Sequence, residues 1–280
     1  MAAVDSIRGP WAIALYTWRE GIRKKTLMGF LILSIFVIFG STFMTSFMTQ
    51  ATVVGEIETQ VETKIIKDIC VTAISIFGAL ITIFISASVV PTEMENKVIY
   101  TILSKPVRRY QYLLGKFLGV QLIIIVNLML MTALFFGALY IKEQVFPTLL
   151  LWSGLLTYFQ FLIVSAFTFA ISCTSTSSVL PTIFGLFFYI GGNLTEYLNG
   201  VATRSGTSDE FIHVMIGKLA TGLYAILPNL RNFDLRTQIL NLPLNDPPTD
   251  VMIPNLIVYG LVYAMSGYLL AMILFFRREL

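Results

Sequence analysis

Between positions 144 and 195 the sequence reads QVFPTLLLWSGLLTYFQFLIVSAFTFAISCTSTSSVLPTIFGLFFYIGGNLT, 52 residues without one Asp, Glu, Lys or Arg. Crossing a bilayer takes about 20 apolar residues, so the run is too long for one crossing and holds two. A polar stretch at 173–178, Cys-Thr-Ser-Thr-Ser-Ser, interrupts it, and Pro181 follows. The reading is a helix over 148–172, a hydroxyl-rich turn, and a second helix over 179–197. Four further charge-free runs, 26–55, 69–92, 117–141 and 251–276, are each long enough to cross. They predict helices over 27–48, 69–90, 117–140 and 254–276. The expected fold is an all-α integral membrane protein with six transmembrane helices, folded as a single domain over 1–280.

Composition agrees with this reading. Charged residues make up 12% of the 280 and mean hydropathy is +0.79, whereas a soluble domain carries about 25% charged residues. Six crossings put both termini on one side, and the positive-inside rule chooses that side as cytoplasmic. With the termini inside, cytoplasmic segments hold 12 of the 19 basic residues and 5 acids, and outer segments hold 7 basic residues and 11 acids. The predicted location is a bacterial inner (plasma) membrane. The basic residues thus mark topology and give no footprint for nucleic acid. The first apolar run is not read as a cleavable signal, because its amino-terminal flank is long and no small-residue cleavage site follows. Cys70 and Cys173 fall on different spans and are read as small apolar fillers. With His213 as the single histidine, no metal site is expected.

The first 26 residues have a pattern of their own. Pro10 suits a first helical turn, and Trp11, Leu15, Trp18 and Ile22 recur at helical spacing. That describes an amphipathic helix lying in the headgroup layer against membrane lipid. Packing on a partner protein would show a similar stripe. On the outside, 49–68 reads as a polar loop, 141–147 as a tight turn, and 198–253 as a long segment with helical spacing over 211–227.

The cytoplasmic link 91–116 carries more information. Thr92 and Glu95 match the S/T-x-x-E capping box, which predicts a new helix there. Met94, Val98 and Ile102 repeat on one face, Pro106 stops the helix, and Val107, Tyr110, Leu113 and Leu114 begin a second amphipathic piece that enters the membrane at Gly115-Lys116. Two such helices suit force transmission from a cytoplasmic partner, and they equally suit an interfacial connector. The residues alone leave both open.

Glu95, the run Ile102-Leu103-Ser104-Lys105-Pro106-Val107-x-Arg109, and Leu113-Leu114-Gly115-Lys116 resemble ABC transporter permeases of the type-2 (type V exporter) class. The nearest in pattern are stand-alone permeases of the nitrous-oxide-reductase copper-assembly and gliding-associated kinds. Leu227-Pro228-Asn229-Leu230-x-Asn232-Phe233-Asp234 resembles a run before the final crossing of these permeases. The resemblance implies that 91–116 is a coupling segment seated on a separate ATPase subunit. It assigns Glu95, Lys105, Pro106, Arg109 and Lys116 to that coupling, with Pro106 in the turn and Glu95 as cap and salt-bridge partner. From the residues alone, Pro106 is a helix stop, and Lys105 and Lys116 are ordinary positive-inside anchors. The resemblance further implies two permease copies, identical or homologous, with two cytoplasmic ATPase subunits that bind ATP and Mg. An outer gate is expected at Glu196, Leu227, Pro228, Asn229 and Phe233, where an extracytoplasmic partner could also dock.

The function expected is that of the permease subunit of an ATP-driven exporter. The alternative is a membrane subunit that passes ATPase motion to an extracytoplasmic partner without moving substrate. No catalytic residue is expected in the chain, and no cofactor. Its Gly-Lys pairs, Gly115-Lys116 and Gly217-Lys218, lack the earlier Gly and the following Ser or Thr of a phosphate-binding loop. The crossings hold no central carboxylate or histidine for intramembrane chemistry, and Asn127 and Gln160 read as interhelical glue.

Overall fold

The computed structural model describes residues 2–51, 56–95, 108–143, 148–195, 227–241 and 252–277, with single residues between them at 197, 200, 215, 218, 221, 222, 224 and 248. Every regular element among them is helical. In chain order these are α1 (Ala2–Ile22), α2 (Lys25–Ala51), α3 (Glu56–Ser88), α4 (Pro91–Glu95), α5 (Arg109–Glu143), α6 (Thr148–Ser172) and α7 (Val179–Asn193). A 3-10 turn (Leu230–Phe233), α8 (Arg236–Asn241) and α9 (Ile253–Phe276) follow. Four stretches are long and apolar enough to cross a membrane, Lys64–Glu95, Arg109–Tyr140, Thr148–Ser172 and Ile253–Phe276. Met28–Ser41 and Val179–Asn193 are shorter apolar helices.

The apolar runs locate these helices well, and α6 has the bounds read from sequence. The ends differ wherever polar residues continue a helix. Residues 56–68, expected in a loop, form the first turns of α3, because Glu, Gln and Lys are good helix formers that hydropathy does not see. Arg109 to Lys116, expected as a separate amphipathic piece, is continuous with α5. Thr92 lies inside α4 and does not cap it, since the helix starts on Pro91, a residue suited to a first turn because it has no N–H to satisfy. Pro10 lies in the interior of α1, not in its first turn. The helix predicted over 211–227 falls largely outside the described residues.

In the bundle, α3 and α6 take the centre. Helix α2 packs on α3, α5 packs on α3 and α6, α7 packs on both central helices, and α9 lies along α6. Lipid tails are as apolar as the side chains, so association rests on close fit rather than on a hydrophobic driving force. The α1–α5 contact shows what close fit requires. A Cβ on Gly115 would stand 2.6 Å from the Pro10 carbonyl oxygen, and one on Gly119 would stand 2.6 Å from Thr17 Cβ. Farther on, Gly21 meets Ile123. The contacts advance together along both helices, so α1 runs beside α5 rather than crossing it once. Ala14 and Thr17 are buried on that face, while Trp11, Leu15 and Ile22 stay exposed on the other.

Candidate functional site: a buried ion pair and a cap at the opposite end

At the end of the bundle that carries α4, Glu93 is buried (3% exposed) and Lys116 is fully buried. The Lys116 ammonium donates to Glu93 Oε1, and the Tyr112 hydroxyl donates to Glu93 Oε2. Lys116 also lies over two rings, 5.4 Å from the centroid of Tyr16 and 6.0 Å from that of Tyr112. Tyr112 stacks in turn on Phe275 of α9, with ring centroids 5.9 Å apart. One carboxylate thus joins α4 to α5, and the rings carry the contact on to α1 and α9. Beside it, Lys24 Nζ donates to Ser88 Oγ at 2.9 Å, which ties the link between α1 and α2 to the end of α3. Burial holds the Lys24 ammonium below the usual lysine range.

The residues expected here separate into three groups. Lys116 is not a surface anchor, because the close approach of α1 over Gly115 carries its side chain under cover, where only an anion can balance it. Glu95 is exposed at the end of α4 and Arg109 is exposed at the start of α5. Lys105 and Pro106 lie outside the described residues. The carboxylate that pairs with Lys116 is Glu93, which the sequence reading passed over in favour of Glu95. A signal was present: Tyr112 and Lys116 stand four residues apart, on one helical face that also carries Leu113, Gly119 and Val120.

At the other end, Leu227-Pro228-Asn229 leads into the 3-10 turn, and Pro228, Leu230 and Phe233 are buried. Asn229 organises the turn. Its Oδ1 accepts from Arg231 N–H (3.2 Å) and from the Thr195 hydroxyl (2.9 Å), and its own N–H donates to the Tyr259 hydroxyl (3.0 Å). The Leu230 side chain fills the space above Gly192, where a Cβ would come within 2.5 Å of it. Arg236 then reaches Asp68 of α3 through Nε (2.7 Å) and Nη2 (2.6 Å). The segment is a cap seated on α3, α7 and α9. Glu196 lies outside the described residues. Tyr259 and the Asp68–Arg236 pair belong to the cap and were not anticipated.

Residues 11–280 match the family described as ABC-2 family transporter protein. The chain belongs to this family. It is a multi-pass permease, the membrane subunit of an ABC transporter, and permeases of this family act with ABC ATPase subunits. No curated protein matches the sequence. In the permease both cysteines are buried thiols outside any disulfide, and the described residues bring no group of three or more His, Cys, Asp or Glu together.

Proposed function

We propose that this permease couples ATP hydrolysis, carried out with Mg on two separate ATPase subunits, to movement of a pair of transmembrane subunits that export a substrate. In this reading the chain crosses six times with both termini cytoplasmic, and 91–116 contacts the ATPase. The stand-alone permeases of the copper-assembly and gliding-associated kinds serve as analogues. The observation that supports it is the buried Glu93–Lys116–Tyr112 cluster. The segment 96–107 is flanked by α4 and α5, and the cluster ties those flanks together. Displacement of the segment then moves both helices as a unit. Arg109 is exposed at the root of α5, and in this reading it meets the ATPase or lipid headgroups.

Arg109→Glu in the full complex tests the reading. Reversing one exposed charge at an interface slows association and weakens binding. The mutant is expected to insert normally and to co-purify less ATPase, or to hydrolyse ATP without transport. Normal assembly together with normal transport would reduce Arg109 to a topological anchor.

A second reading draws on the outer cap. Its bond to α3 through Asp68–Arg236 offers motion an exit to an extracytoplasmic partner held by 198–253, with no substrate passing through the permease. ATP-dependent release of such a partner without solute flux would favour it.

A further inference from the structure

The outward faces of α5 and α6 diverge into a groove of about 550 Å³ that runs from Ile125 to Phe136 on α5 and from Leu151 to Tyr158 on α6. Its wall is almost entirely carbon. At about 1.5 Å per residue the α5 side is roughly 16 Å long. That is about half of a hydrocarbon core of about 30 Å, one leaflet's depth. The groove occupies the half of α5 away from Arg109.

Behind it lies a second, smaller space of about 20 Å³, room for one oxygen-sized group. Thr132 and Gly154 line both spaces and form the wall between them. The inner space mixes apolar walls with polar groups, Ser75, Ser153, Thr157, Gln160 and the acidic Asp234. Ser153 is 8% exposed and Thr157 is 9% exposed. Elsewhere on α6, Ser165 donates to Leu162 O at 2.8 Å and Ser172 to Phe169 O at 2.7 Å, while the buried Thr168 hydroxyl has no partner among the described residues. Ser153 and Thr157 make no such bond among the described residues. Two donors on the wall of a cavity can be satisfied by an acceptor that enters it.

We propose that the two spaces form one binding site for an uncharged, single-chain amphiphile. Its hydrocarbon chain lies in the groove, and its linkage carbonyl or hydroxyl oxygen passes Thr132 to accept from Ser153 and Thr157. No basic side chain lines either space and Asp234 adds a negative charge to the inner one, so the site selects a neutral hydrogen-bonding group rather than a phosphate. Gly154 keeps the passage open. A Cβ there would stand 3.4 Å from Thr132 Cγ2, an ordinary contact that closes the gap.

The test uses the full-length permease in phosphatidylcholine–phosphatidylglycerol nanodiscs and two photoreactive probes, a monoacylglycerol and an alkane, each with a diazirine in its chain. Monoacylglycerol labelling is expected to concentrate on 125–136 and 151–158, and Ala133→Phe, on the exposed wall of the groove, lowers it at least fivefold. The pair Ser153→Ala with Thr157→Val, which keeps volume, lowers monoacylglycerol labelling similarly and leaves alkane labelling unchanged. Gly154→Ala, which fits the space, reproduces that selectivity. Labelling spread evenly over α2, α7 and α9, or insensitive to Ala133→Phe, would overturn the site. Equal effects of the Ser153 and Thr157 exchanges on both probes, or none on either, would overturn the role of the polar chamber. The probes need no ATPase, so the outcome is independent of the coupling mechanism.

Discussion

Lys116→Met keeps a long unbranched side chain and removes its charge. Glu93 is then left 3% exposed with Tyr112 as its remaining partner in the cluster. Removing one member of a buried ion pair costs about 3–5 kcal/mol, because the other charge stays desolvated and unbalanced. At a few degrees per kcal/mol for a chain of this size, that corresponds to a fall in melting temperature of roughly 10 °C. Glu93→Gln alone is expected to cost a similar amount, since it strands the ammonium. The double exchange removes both charges, and replacing a whole buried pair is often close to neutral. It should therefore recover most of the loss. Tyr112→Phe, which removes one hydrogen bond to a charged group, should cost less, about 1.5–3 kcal/mol. The measurement is thermal unfolding of the full-length permease in one detergent, followed by tryptophan fluorescence with size exclusion as a check on aggregation. A Lys116→Met protein that melts with wild type would refute the reasoning. It would mean that Lys116 extends to the headgroups, as an ordinary anchor does.

Three other outcomes are expected. Single cysteines at Ser104 and Ser208 should react with an impermeant reagent from opposite sides of the membrane; reaction from the same side contradicts six crossings. Gly192→Val places a side chain where Leu230 now packs, an overpacking cost of about 1–3 kcal/mol. Hydrogen exchange should then rise across 227–235 and stay unchanged across 109–123, and an unaltered cap would show that Leu230 is not held there. Arg236→Ala breaks a pair whose members are 41% and 42% exposed, so it should cost no more than about 1 kcal/mol. A drop of many degrees would mean that Arg236 does more than pair with Asp68.

What the sequence discloses here depends on the physics that places each feature. Charge-free runs locate the apolar helices because the bilayer excludes charge over a fixed thickness, and α6 shows how sharply they can do so. The same criterion misses the first turns of α3 and α5, whose polar residues leave the apolar layer while the backbone stays helical. Lys116 was assigned to the coupling segment by resemblance, yet its burial was not legible. Burial there depends on α1, more than 90 positions away in sequence, passing within contact of Gly115. Choosing Glu95 over Glu93 has the same origin. The two differ by about 200° around a helix, and which faces inward is set by the break before Pro91, not by local pattern. The cap motif was legible as a motif, but its supports Thr195, Tyr259 and Asp68 come from just beyond α7, from α9 and from α3.

The break between α3 and α4 explains why a buried ion pair suits this position in the proposed mechanism. Helix α3 has 33 residues, a rod of about 50 Å. Its regular helix ends at Ser88, and Pro91 has no N–H to carry the ladder across Val89–Val90. A five-residue helix beyond such a break would swing when 96–107 is pushed, and the push would be lost. Glu93 removes that freedom by joining α4 to Tyr112 and Lys116 of α5, while Lys24 holds Ser88 on the near side of the break. The ends of α3 and α5 beside α4, with α1 pressed on Gly115 and Gly119, are thereby bound to move together. At its far end α3 carries Asp68, bonded to Arg236 directly after the capping turn. The same rod therefore touches both sites, and displacement at one end has a covalent and hydrogen-bonded route to the other. The two glutamates of α4 divide between these tasks. Glu93 braces the break from within, and Glu95, exposed two residues later, is the one that the proposed mechanism turns toward the ATPase.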